Sequence, residues 1–279
     1  MRADIARTFL LATAVAAGLS ASLVAQAGGG QAPGGRGAPA PPSGHAAAPW
    51  DISGYWTALI TDDWRYRMLT PPKGNVDYLP VTGAGRGATN AWDPAKDQAA
   101  GEQCKGYGAG GIMRLPGRLH ITWENDNELR MDIDTGIQTR RFYFEGAQAA
   151  SAQAASQSPS LQGYSIARWE SPGAGGRGGR GGPPPPPANA AAGNRPGQLR
   201  VVTTRLRPGY VRKNGVPYGA DTVITEHYVH LVDNDRQEYL ALTITVDDPT
   251  NFQPAYVKTY QFRKQADAKG WNPTPCSAK

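Results

Sequence analysis

The amino-acid sequence predicts an all-β domain, an antiparallel meander closing into a barrel or half-barrel, with one short helical segment near 86–104. Three observations carry that prediction. Segments that alternate apolar and polar residues recur from 54 to 263, and alternation at period two is the strand signature. Most of these segments are joined by short polar turns. Their number, about nine or ten, would leave an open antiparallel sheet with bare edges, which closure removes.

The chain of 279 residues opens with a different element. Arg2 and Arg7 give a positive start, diluted by Asp4. Residues 8–24 carry no charge, and Ala25-Gln26-Ala27 forms a small-x-small cleavage pattern. That order is the grammar of a cleavable secretory signal peptide over 1–27. The alternative is a membrane anchor, but an apolar stretch of about 17 residues stands at the short limit for spanning. No later segment is apolar for long enough, so no membrane span is expected after cleavage. The expected location is the periplasm or the exterior. Residues 28–49 lack the bulky apolar side chains that offset the entropy cost of ordering, and form a disordered tether. Segments 146–160 and 171–197 share that composition and are expected as disordered loops within a single domain, 50–279. Without them roughly 185 residues remain, enough for one well-buried core.

Within the domain, 54–61 (GYWTALIT) is the first strand, and 64–69 (WRYRML) is expected to continue it. A helix in two short pieces follows over 86–104, where Asp93-Pro94 supplies an N-cap with proline at the first helical position. Segments 118–124 (RLHITWE) and 128–134 (ELRMDID) form a hairpin across Asn125-Asp126-Asn127. Strands 137–145, 163–170 and 198–206 come next, the last two joined by the second insert. Strands 222–232, 238–246 and 255–263 complete the meander; Asp233-Asn234-Asp235 turns the first of these into the second.

The formal net charge is +6. Arg2, Arg7 and Asp4 contribute +1 of it, and Arg36, Arg177, Arg180 and Arg195 contribute +4, leaving +1 on the folded part. A nucleic-acid partner needs a concentrated basic face, and none is expected. The GGRGGRGG run is a flexible loop on this reading. The two cysteines, Cys104 and Cys276, form an even pair in an oxidising compartment, which points to one disulfide. It would tie the tail to the first half of the domain, worth on the order of 4–5 kcal/mol in the chain-entropy model. Two free thiols are the alternative.

Gly54-x-Trp56 falls where lipocalin-like barrels carry a Gly-x-Trp at the start of their first strand. A wider similarity covers the second half: ARWE, QLRVVTT, TEHYVH, EYLALTITVDDP and YQFRK. Here Trp169, Glu170, Leu199, Val201, Val202, Thr204, Glu226, Val246, Asp248 and Pro249 occupy the pattern positions. In these the chain resembles a widespread group of uncharacterised exported bacterial β-rich proteins. The segments DISGYWTALITDDWRYRM, WDPAKDQAAGEQC and IMRLPGRLHITWE resemble one branch of it. The Gly/Pro-rich insert at 171–197 replaces the group's usual short turn. The resemblance implies a lipocalin-like barrel and export, and carries no catalytic residues.

Two constellations stand out as candidate sites. Thr61-Asp62-Asp63-Trp64-Arg65-Tyr66-Arg67 packs carboxylates, guanidiniums and aromatics together. At a barrel mouth Trp64 would line a pocket, Arg65 or Arg67 would clamp an anionic group, and Asp62 or Asp63 would act as a base. Alternatively it is a strand end with Asp–Arg pairs orienting one another. Glu226, Tyr228 and His230 share one strand face. If that face points inward, Glu226 is a candidate acid or base with Arg205 as its partner; if outward, it is surface. The strand aromatics would either line an apolar pocket or fill a core. The histidines have no metal-ligand spacing, and no phosphate or dinucleotide loop is present, so no metal and no cofactor is expected. The leading expectation is an exported soluble protein that binds a small apolar or amphipathic molecule in the barrel through Arg65, Arg67, Trp64, Arg205 and Tyr228. The alternatives are an envelope enzyme of isomerase, hydratase or hydrolase type using Glu226 or Asp63, and a structural envelope module.

Overall fold

The structure, a computed structural model, describes residues 42–171 and 196–279. The signal segment, most of the tether and nearly all of the 171–197 insert lie outside the described residues. The strands are β1 (Gly54–Leu59), β2 (Arg118–Asn125), β3 (Glu128–Ile133), β4 (Gln138–Tyr143), β5 (Tyr164–Glu170), β6 (Gln198–Thr204), β7 (Gly209–Arg212), β8 (Val216–Tyr218), β9 (Val223–Val232), β10 (Glu238–Asp247) and β11 (Tyr256–Gln265). The helices are α1 (Trp64–Met68), α2 (Gly83–Ala91), α3 (Pro94–Ala99) and α4 (Ala147–Ser156).

Nine strands close a barrel in the order β1-β11-β10-β9-β6-β5-β4-β3-β2, so the chain has the all-β barrel fold that its alternation predicts. The β7–β8 hairpin, inserted between β6 and β9, forms a separate two-stranded sheet. A ring of strictly alternating strands can close only with an even number. Nine strands therefore need a parallel contact, and β4–β5 provides it, with Phe142 opposite Ser165. A parallel neighbour requires the chain to cross from one rim back to the other. Residues 144–163 make that crossing, and α4 lies within it. The stretch 146–160 is thus not wholly a loop: its Ala- and Gln-rich run, with no Gly or Pro inside α4, favours helix.

A second departure concerns 64–69, which forms α1 instead of continuing β1. Asp63 adopts a left-handed backbone, φ 49°, and swings the chain off the barrel wall. Five residues are too few to display either period in sequence. The 86–104 segment resolves into α2 and α3. Asp93 caps α3 by accepting from the Ala95 amide at 3.0 Å, with Pro94 in the first turn.

The alternating faces meet inside. Trp56, Leu129, Met131, Phe142, Leu199 and Leu242 are each 0% exposed, so none borders a void that would admit water. Both rims are covered. At the rim where β1 starts, Trp50 and Ile52 are buried. The Trp50 indole donates to the Gly197 carbonyl at 2.9 Å, and the Trp169 indole donates to the Gly44 carbonyl at 2.7 Å. The described end of the tether, 42–49, is therefore laid against the barrel. At the opposite rim, where β1 ends, the cover is built from residues 60–116, from the β7–β8 hairpin and from the tail. Cys104 and Cys276 form a disulfide with a Cα–Cα distance of 5.1 Å, and the Thr274 amide donates to the Asp134 carbonyl at 3.0 Å. No described helix is long and apolar enough to cross a membrane.

Candidate functional site

The face of β9 that carries Ile224, Glu226 and Tyr228 points inward, and all three side chains are fully buried. Glu226 does not meet Arg205. Its partner is Arg140, projecting from β4 on the opposite side of the interior. Arg140 Nη1 donates to Glu226 Oε1 at 2.8 Å and Nη2 donates to Oε2 at 2.6 Å, a bidentate pair. The Tyr228 hydroxyl donates to Oε1 at 3.0 Å. Arg140 also reaches Thr203 at 3.4 Å, and Thr203 meets Ser165 at 2.8 Å. Burial by itself would lower the Arg140 pKa, but the charge and hydrogen bonds of Glu226 more than offset it and hold it above the ordinary value. Burial, then the neighbouring Glu226 charge, pushes the Tyr228 hydroxyl well up. The cluster is sealed from solvent, with Arg140 Nε left without a hydrogen-bond partner.

Arg205, in a left-handed conformation with φ 56°, is exposed and donates to the Gln157 carbonyl at 3.0 and 2.8 Å. It lies outside the barrel because β6 ends at Thr204, one residue earlier. Trp64 and Arg65 sit on the outer face of α1, with the guanidinium over the indole at 5.8 Å.

The Asp62–Arg67 constellation does come together, at the covered rim beyond the end of β1. Arg67 is 3% exposed. It donates from Nε to the Arg114 carbonyl at 2.9 Å, and from Nη1 to the Leu59 carbonyl at 3.0 Å and to Asp62 at 3.2 Å. Lys258 contacts Asp62 at 2.6 Å and Asp63 at 3.2 Å. Burial would raise the Asp62 pKa, but Lys258 and Arg67 hold it below the usual carboxylate value. Asp63 thus sits in an ion pair at the start of α1.

Two arginines absent from the sequence-derived candidates complete this region. Arg114, just before β2, donates from Nη1 to the Tyr66 carbonyl at 2.6 Å. Arg212, on β7, donates to Asn75 at 3.2 Å and to the Asp77 carbonyl at 3.1 Å, with its guanidinium 4.9 Å over the Tyr66 ring. A recess of about 130 Å³ opens beside them, lined by Tyr66, Arg67, Met68, Leu69, Arg114 and Leu115 among others. Its walls combine two buried guanidiniums with apolar side chains. Among the described residues no three His, Cys, Asp or Glu side chains converge as a metal site would require.

No protein-family model, curated protein or solved structure matches the chain. Fold and site alone define the molecule: a filled, nine-stranded barrel, covered at both rims, with an arginine-lined recess in one cover.

Proposed function

We propose that this chain is an exported binding protein that receives one end of a small amphipathic molecule in the recess at the covered rim, not in the barrel interior. The carrying observation is the recess itself, where Arg67 and Arg114 stand beside Met68, Leu69, Leu115 and Pro116. Pockets that enclose a drug-sized ligand run to roughly 300–1,000 Å³. A recess of about 130 Å³ takes only the ligand's end. The remainder of the ligand would lie over the rim, where Trp64, Met68 and Leu69 are 60%, 56% and 67% exposed. Trp64 and Met68 are four residues apart on α1 and share its outer face. A run of exposed large apolar side chains next to a recess is the pattern of a binding surface.

Export is supported by the signal-peptide grammar of 1–27 and by the disulfide. An acid–base enzyme is less well supported. Glu226 is engaged through both oxygens and sealed off, and Asp63 is tied to Lys258.

The test is a tryptophan-emission titration of the exported chain with ten-carbon amphiphiles bearing neutral, anionic and cationic head groups. Saturable binding of at least one, lost in Leu69→Asp, is the expected result. Absence of saturable binding to any of them sinks the reading.

A further inference from the structure

We propose that Arg67 and Arg114, backed by Arg212, form an oxyanion site in this recess, so that the end of the ligand it takes is a carboxylate or a phosphate ester. The tail of that ligand rests on the binding reading above; the oxyanion site does not.

The three guanidiniums are 3%, 3% and 2% exposed. Buried arginines are ordinarily paired with carboxylates, because an unpaired buried charge is costly. Among the described residues Asp62 is the one carboxylate within ion-pair distance of any of the three, and it is shared with Lys258. Arg114 and Arg212 have no ion-pair partner among the described residues. What they do have are carbonyls, an amide and aromatic faces, which fix the orientation of a guanidinium without neutralising it. Arg67 lies 5.1 Å over the Tyr260 ring, in the same way that Arg212 lies over Tyr66.

The donors left over point the same way. Arg67 Nη2 and Arg114 Nη2 are buried with no hydrogen-bond partner, and so is Arg212 Nε. Buried donors are nearly always satisfied, so the orphans on Arg67 and Arg114, the two arginines of the recess wall, call for an acceptor. Arg67 and Arg114 both line the recess, as does Lys213, whose ammonium donates to the Tyr107 hydroxyl at 3.0 Å and to the Lys279 backbone oxygen at 2.5 Å. Arg212 does not line it. Arg212 stacks on the Tyr66 ring while Arg114 holds the Tyr66 carbonyl, so one residue couples the two. Burial, then the charge of Arg114, holds the Arg212 pKa below its ordinary value; burial also lowers that of Arg67, against the opposing charges of Tyr260 and Asp62. An oxyanion bound in the recess would supply the missing countercharge beside Arg67 and Arg114.

The sequence points to the same rim through Arg67, but Arg114 and Arg212 enter only through the fold. A helix N-terminus plays no part, since α1 is too short to offer one.

The experiment compares inorganic phosphate, acetate, decanoate, decyl phosphate and decanol as probes of the exported chain, read by tryptophan emission and by thermal shift. The expected result is at least tenfold tighter binding of decanoate or decyl phosphate than of decanol. In Arg114→Gln, which keeps a donor for the Tyr66 carbonyl, that preference is expected to fall below threefold. Arg212→Gln, outside the recess wall, is expected to weaken the preference less. Binding of decanol as tight as that of both decanoate and decyl phosphate by the unaltered chain overturns the oxyanion site and leaves the binding reading standing. Saturable binding of phosphate with no response to any ten-carbon probe does the reverse. Failure of every probe overturns both. The comparison of decanoate and decyl phosphate with decanol on the unaltered chain needs no variant, so a misfolded Arg114→Gln does not spare the proposal.

Discussion

Replacing Glu226 with Gln should cost the fold several kilocalories, and undoing the charge on both sides should restore most of it. The Arg140–Glu226 pair is bidentate and 0% exposed on both side chains. In Glu226→Gln the shape is kept, but the Arg140 charge is left buried against a neutral amide. Breaking a buried pair from one side costs about 3–5 kcal/mol. For a domain of this size each kilocalorie moves the melting temperature by about 2–4 °C, so the expected fall is about 6–20 °C. The double variant Arg140→Met/Glu226→Leu removes both charges and fills similar volume. Such replacements are often neutral or stabilising. Here the Tyr228 hydroxyl loses its acceptor, an orphaning worth about 1–3 kcal/mol, so the double variant should recover most but not all of the loss. Urea unfolding followed by tryptophan emission, with the disulfide intact, measures both. A Glu226→Gln loss below about 1 kcal/mol would refute the reasoning, because Arg140 would then have water or another partner within reach.

Three further outcomes follow from single features of the fold. Reducing the Cys104–Cys276 bond, or replacing both cysteines with Ser, should lower stability by about 5 kcal/mol in the chain-entropy model, since the bond closes a separation of 172 residues. A calorimetric scan with and without reductant reads it. Asp248 accepts from the Gly219 amide at 2.7 Å, the Thr222 hydroxyl at 2.9 Å and the Asn251 side chain at 2.8 Å. Burial would raise its pKa, but these donors hold it below the ordinary 3.8. Its contribution is therefore fully present above about pH 4 and is lost as pH falls through the lowered folded value. The stability gap between the unaltered chain and Asp248→Asn should shrink in urea titrations below pH 4. Gly215 has φ +83°, and a side chain there would run into the Trp92 ring. Gly215→Ala should cost about 2–4 kcal/mol by strain and overpacking, visible as a shifted urea midpoint.

The strands of the barrel were legible because one buried face imposes period two, and β2–β3 and β9–β10 follow the alternation closely. The inward direction of Glu226 was not, because polar and apolar residues share that face. Its partner could have been found. In QTRRFY, Arg140 and Phe142 have the same parity, so an inward Phe142 carries Arg140 inward with it. The β7–β8 hairpin also left a signal, Asn214-Gly215 between apolar residues, a strong short-range mark of a tight hairpin. Reading it would have placed Arg212. The parallel β4–β5 contact had no such signal, since it depends on closure of the whole ring. Nor did α1, which is bounded by a backbone turn at Asp63 and not by any periodicity. Arg67 was visible as part of a charged cluster, whereas Arg114 joins it only because residues 60–116 fold over the rim.

The central claim is that the ligand site lies in the rim cover and not in the barrel. It is tested most directly by a crystal structure of the chain with 10-bromodecanoate, read by the anomalous signal of bromine and the density of the carboxylate. The account predicts the carboxylate against Arg67 and Arg114, with the bromine over the Trp64–Leu69 rim. A carboxylate or bromine inside the barrel, beside Glu226 and Tyr228, would contradict it.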